Sequence, residues 1–362
     1  MSTLKVDAIR HNSATSDAIT TAADGTCTAR ITGMTGGGQL SHRNIIINGA
    51  MQVAQRGTSS TDANSFTTDR FKLQFSGVDE NPTNAQVDVA AGTTPYTSGF
   101  RKALKVTNGN QTSGAGAADY MFVKYVVEAQ DTATSGWNFK SANSFVTLSF
   151  WVKSSVAQNF YGYIEMPDSP EQVYPFETGS LTQDTWTKIT KTIPGNNNIN
   201  VNNDNGEGFK LFINQFWGTD FTDSGRALNT WGGFSSASRM PDFTSTWYTT
   251  NDATFELTGV QLEVGPVATP FEHRSRGDEL SRCQRYCFIL PQSHQGTSPN
   301  SQYVDMYIYH PTIMRAKPTV TQVSPQNIGG YDSNESGTYA SRFYTNSGTP
   351  RLGSGTKFEA EL

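Results

Sequence analysis

Trp151 lies in the run FVTLSFWVKSS, where Val146, Leu148, Phe150 and Val152 alternate with Thr147, Ser149, Trp151 and Lys153. A period of two puts the sets on opposite faces of a strand, so the indole lies away from the aliphatic side. An aromatic plate beside hydroxyls suits a sugar, whose ring faces are apolar and whose rim is polar. Tyr161 and Tyr163 share one face of NFYGYIEM and offer the same chemistry. Trp217, Trp231 and Trp247 fall in or near loops, where binding residues gather. Tyr331, Tyr339 and Tyr344 lie in GGYDSNESGTYASRFY, close to the tyrosine-rich YVDMYIYH, and sit among Asn, Asp and Ser. Each aromatic has a second reading, as packing beneath a loop or against a neighbouring subunit.

Catalytic and metal-binding patterns are scarce, and no catalytic residue is assigned. The sequence has no GxSxG, no HExxH and no phosphate-cradling glycine loop. His11, His42, His273, His294 and His310 are spread over three regions and suggest neither a triad nor a metal cluster. Asp168/Glu171 and Asp220/Asp223 are close in sequence, which is not the same as carboxylates facing across a cleft. Cys27 is isolated, while Cys283 and Cys287 are four apart on an expected helix, poor spacing for a disulfide. They read as small buried hydrophobes. Acidic loops suit Ca²⁺, but no Asp spacing is diagnostic, so no cofactor and no metal ligand is assigned.

The elements that must position these residues are strands. The 362-residue chain is 35% hydrophobic, 16% charged and 11% aromatic, with 33 glycines, a balance that suits an all-β protein with many turns. A net charge of −5 without a basic run argues against nucleic acid. No apolar stretch is long enough to span a bilayer, and MSTLKVDAIRHNS lacks an apolar signal-peptide core, so neither membrane insertion nor secretory export is expected.

Three units follow. Residues 1–43 form an extended arm of short β-prone pieces, with a turn at Asp24–Gly25 and a flexible joint at glycines 36–38. Such an arm cannot bury a core alone, so pairing with other chains is expected to order it. Residues 44–272 run strand after strand and predict a two-sheet sandwich of jelly-roll type. Its closing strand FELTGVQLEVG changes phase: Phe255 and Leu257 are followed by Val260, Leu262 and Val264. One extra residue at Gly259, a β-bulge, restores both sets to the same face. Residues 273–362 predict a C-terminal β domain, a small sandwich opened by a short helix. Ser275 caps that helix, Leu280, Cys283 and Cys287 lie at helical spacing, and the C-terminal domain is its expected docking surface.

RNIIINGAMQVAQRG, TTDRF, FVTLSFWVKSS, TWTKITKTIPG and FELTGVQLEVGPVATPFEHRS followed by ELSRCQRYC occur in this order. Together they resemble a family of phage tail-fibre and other virion appendage proteins. PTIMRAKPTVT and the terminal KFEAEL resemble the family's C-terminal part, and MSTLKVDAI resembles the start of marine cyanophage structural proteins. The strand pattern of 44–272 is also similar to jelly-roll carbohydrate-binding modules, a likeness of fold more than of ligand. The chain has room for neither a long adaptor nor a shaft, so a short fibre, a knob, or a head- or neck-attached fibre is expected as readily as a long one.

The resemblance implies a virion protein assembled in the host cytoplasm. It also implies a homotrimer, joined through residues 1–43 to tail or capsid proteins and meeting a glycan or protein on the host surface. A non-enzymatic host-contacting appendage is the leading expectation, with its C-terminal domain outermost. The alternatives are a decoration or connector that binds only virion proteins, and a polysaccharide depolymerase.

Overall fold

The computed structural model describes residues 6–10, 15, 17–21, 23, 27–29, 43–296, 304–345 and 348–362. Two sheets form the central unit. One runs in the order Thr187–Pro194, Phe145–Ser154, Thr254–Val264, Lys102–Thr107, Thr83–Asp88 and Ser59–Ser60. The other runs Gly232–Gly233, Gln172–Ser180, Asn159–Met166, Glu207–Trp217, Tyr120–Glu128, Phe71–Ser76 and Ser65–Thr68. The chain crosses repeatedly between the sheets, which gives an all-β sandwich of jelly-roll type.

Period-two alternation explains the core. Val146, Leu148, Phe150 and Val152 from one sheet meet Leu73, Val123, Ile164 and Leu211 from the other. The closing strand contributes Phe255, Leu257, Val260 and Leu262, all buried in this core. Its pairing with Phe145–Ser154 slips by one residue, from Ser149↔Gln261 to Trp151↔Thr258. Gly259, at the slip, has φ +64°, as the expected bulge requires. Val264 continues the phase but is exposed at the strand end.

In the arm, Ala8–Ile9, Ile19–Thr21 and Cys27–Ala29 form an antiparallel three-stranded sheet. Val6 and Ile9 are exposed. The expected turn at Asp24–Gly25, the glycine joint, His11 and His42 lie outside the described residues.

The helix Arg276–Gln284 begins as its sequence predicts: the Asp278 amide donates to Ser275 Oγ at 3.2 Å. Its docking surface differs from expectation. Leu280, Cys283 and Tyr286 pack on Ile47 and Val53, apolar residues in and beside the RNIIING turn of the central sandwich, and the C-terminal unit adds only Leu362 to this cluster. Burial pushes the thiols of Cys283 and Cys287 up, leaving both protonated near neutral pH.

The C-terminal unit has two three-stranded sheets and a two-stranded ribbon. Phe288, Met306, Ile308, Phe343, Leu352 and Phe358 form its core. Buried ions tie it to the sandwich. Arg70 pairs with Glu361 and lies 3.4 Å from the Tyr286 ring centroid. Arg56 reaches Glu359 and Glu361, each at 2.8 Å. Arg285 grips Glu128 through both carboxylate oxygens, at 2.7 and 2.8 Å, and Tyr286 donates to the same group at 2.5 Å. Burial by itself would raise the Glu128 carboxyl, but these bonds outweigh it and hold the group below the usual range.

Candidate functional site

The face of the six-stranded sheet away from the core carries Trp151. Here Gln261 and Glu263 of the closing strand fold the following segment back across the sheet. The Glu272 amide donates to Gln261 at 2.8 Å, and the Thr269 amide donates to Glu263 at 2.8 Å. That return brings Phe271 and His273 beside the indole, forming a groove of about 350 Å³. Ser149, Trp151 and Gly259 line it together with Phe100, Phe271 and His273, and exposed Lys188 adds an ammonium group. Phe100 meets Phe271 edge-on at 4.8 Å between centroids. His273 Nε2 donates to the Ser98 carbonyl at 2.9 Å, which fixes the ring. Half-buried Trp151 therefore sits in an aromatic groove edged by a hydroxyl and an ammonium group, a lining compatible with a sugar.

Other expected platforms are covered. Tyr163 is 1% exposed and stacks on Phe212 at 4.2 Å; Trp217 is 5% exposed and stacks on Phe122 at 5.0 Å. They lie on the outer face of the seven-stranded sheet, where Phe221, Phe234 and Phe243 of the long loop after Trp217 close over them. The Arg239 guanidinium sits 4.7 Å from the Trp217 centroid. Both residues therefore serve packing. Tyr161 is half-buried at the edge of this cluster, 5.1 Å from Phe243. Trp231 is half-buried, its indole N–H donating to the Pro194 carbonyl at 2.7 Å, and Trp247 is fully buried.

Exposed aromatics gather instead on the C-terminal unit. Among the described residues, Tyr307, Tyr309 and Tyr339 are the exposed large aromatics, at 40%, 76% and 66%. In the strand Val304–Tyr309, Met306 and Ile308 point into the core, while Tyr307 and Tyr309 point out and stack at 6.5 Å. Opposite Tyr307 lies Arg342, bonded to Asp305 at 2.8 Å and Asp332 at 2.7 Å. The outcome is a tyrosine row flanked by fixed charges. Tyr339 belongs to the expected set; Tyr307 and Tyr309 were visible as outward positions of an alternating strand. Tyr331 is half-buried and donates to the Pro318 carbonyl at 3.1 Å, while Tyr344 is half-buried against Gly330.

The carboxylates settle into turns and ion pairs. Asp168 accepts from the Asn202 amide and side chain, each at 2.7 Å, and Asp223 accepts from the Gly225 amide at 2.9 Å. Glu171 is pushed up to about 7 by burial, by a hydrogen bond with Glu165 and by its charge. Glu165 is itself buried and bonded to Lys210 at 2.7 Å. Among the described residues, no group of three His, Cys, Asp or Glu could hold a metal ion, and no helix is long and apolar enough to cross a membrane.

No family profile and no curated protein matches this sequence. Among solved structures, the chain is similar to the enzymatically active domain of tailspike protein 4 of bacteriophage CBA120. The TM-score is 0.32 at 8% identity, over 61% of this chain and 21% of that one, so this chain spans about a fifth of the tailspike chain. It is also similar to the TmCBM61 module solved with β-1,4-galactotriose, at TM-score 0.28 and 10% identity over 61% of this chain and 97% of that one. The family 11 carbohydrate-binding module of the Clostridium thermocellum cellulase Lic26A-Cel5E gives 0.26 and 13%, over 60% and 98%. Scores and identities this low transfer no ligand and no activity to this chain.

Proposed function

We propose that this chain is a non-enzymatic virion appendage, of tail-fibre type, that meets the host surface by binding a glycan. The observation that carries the reading is the stacked, exposed pair Tyr307 and Tyr309, with exposed Tyr339 on the same unit. The described aromatics are otherwise largely covered, and a grouped exposed aromatic surface marks an interaction site. Tyrosine offers a sugar an apolar face and a hydroxyl at small entropic cost, and Arg342 between two aspartates supplies a rigid polar border. The arm, whose exposed Val6 and Ile9 await burial, joins the protein to virion partners and to the other copies of a trimer.

Labelled full-length protein should bind host cells saturably and compete with phage adsorption. Tyr307→Ala with Tyr309→Ala should lower that binding about tenfold without changing the melting temperature. Undiminished binding by the double variant would remove the tyrosine row from the reading. Absence of any host binding, with normal incorporation into particles, would replace it by the connector function. Soluble sugar released from the cells would replace it by the depolymerase function.

A further inference from the structure

A groove of about 690 Å³ follows the seam between the sandwich edge and the C-terminal unit. Arg56, Lys72, Arg315, Lys317 and Lys357 line it, together with Asp62, Glu359 and Glu361. The carboxylates do not neutralise the cations evenly. Arg56 is held by Glu359 and Glu361, and Lys357 by Glu359 at 2.9 Å. Arg315 donates only to carbonyls, those of Ala360, Asn205 and Glu361, and Lys317 donates to the Ser333 carbonyl at 2.9 Å. Among the described residues, Lys72 pairs with no carboxylate. Burial and the like charge of Lys124 depress its pKa, a loss that an incoming anion would reverse. Three cations thus face one groove without a carboxylate partner, in a chain whose net charge is −5.

The rest of the lining narrows the ligand. Ser60, Ser65 and Thr319 present hydroxyls, suited to a partner rich in its own. The Phe66 ring is already covered by the Arg56 guanidinium at 4.7 Å, which leaves no plate for a nucleobase. The groove is also too large for a single inorganic anion. We propose that this seam binds an acidic sugar chain, its carboxylates or sulfates held by Lys72, Arg315 and Lys317. The site is separate from the tyrosine row and does not depend on it.

Calorimetric titration of the full chain with trigalacturonate and with a chondroitin sulfate tetrasaccharide tests this, with neutral maltotriose as control. At least one acid should bind saturably, and about tenfold more weakly when salt rises from about 20 to about 150 mM. The double variant Lys72→Gln, Lys317→Gln should lose about tenfold in affinity. Should the double variant fail to fold, exposed Lys317→Gln alone should lose about threefold. Failure of both acids to saturate at millimolar concentration would overturn the proposal. So would an equal effect of the lysine variant on maltotriose binding, or wild-type affinity for the acids in the lysine variant that folds.

Discussion

The amide of Val260 donates to the carbonyl of Gly49 at 2.9 Å. Val260 follows the bulge, where the ladder to the neighbouring strand is interrupted, and the RNIIING turn takes up the backbone groups left over. Asn44 completes the contact, its amide donating to the Val260 carbonyl at 3.1 Å and its oxygen accepting from the Leu262 amide at 3.0 Å. Two stretches more than 200 residues apart are therefore parts of one joint.

Gly259→Val should destabilise the sandwich by about 1–3 kcal/mol in denaturant unfolding. A Cβ there would stand 2.7 Å from Phe100 Cζ and 3.1 Å from Trp151 Cδ1, on a backbone at φ +64°. Gly49→Ala should also destabilise, because its Cβ would fall 2.0 Å from the Val260 carbonyl oxygen, a backbone atom with little freedom to move. Wild-type stability in both variants would refute the joint.

Glu128→Ala should cost roughly 2–4 kcal/mol, also read by denaturant unfolding. Glu128 is fully buried and is the shared acceptor for Arg285 and Tyr286, so its loss strands a guanidinium and a buried hydroxyl. Arg285, 29% exposed, recovers some hydration, which places the cost below that of a fully enclosed pair. A loss under about 0.5 kcal/mol would show that these groups find water instead.

The sequence's legibility followed the range of the interaction. The bulge needed only a count of alternating residues, and FVTLSFWVKSS and DRFKLQF divided into inward and outward sets for the same reason. Tyr163 and Trp217 were misplaced because an outward position looks the same whether a loop covers it or solvent does. The covering loop has no periodicity to betray its path. The pairing of Arg70 with Glu361, 291 residues apart, leaves no local trace. Tyr307 and Tyr309 are a different case: they were not singled out, although alternation against Met306 and Ile308 is a signal that could have placed them outward.

Stability should fall as pH rises through about 7, through the Glu165–Glu171 pair. Glu171 holds its proton more tightly when folded than unfolded, where its ordinary value is 4.5. Its contribution is fully present below that value and is lost as pH climbs through the folded value near 7. The melting temperature should therefore decline between pH 5 and pH 8, and Glu171→Gln should flatten that part of the profile. A decline of unchanged size in the variant would assign it to other groups.

Trp151 lines an open groove of about 350 Å³, and its role divides cleanly by experiment. As a sugar platform, it gives the protein a contact that does not involve the tyrosine row. Neutral oligosaccharides cut from the host surface should bind the full chain saturably, and Trp151→Ala should weaken them about fivefold, the worth of roughly 1 kcal/mol of stacking. His273→Ala should weaken them less, since its Nε2 is engaged with the Ser98 carbonyl and its ring contributes only part of the lining. As a packing residue, Trp151 instead supports Gly259, Phe100 and Phe271. The alanine variant would then melt lower while binding sugars with wild-type affinity. Measuring both quantities on the same variant decides between the two roles, because stacking on a ligand and filling the outer face move different numbers.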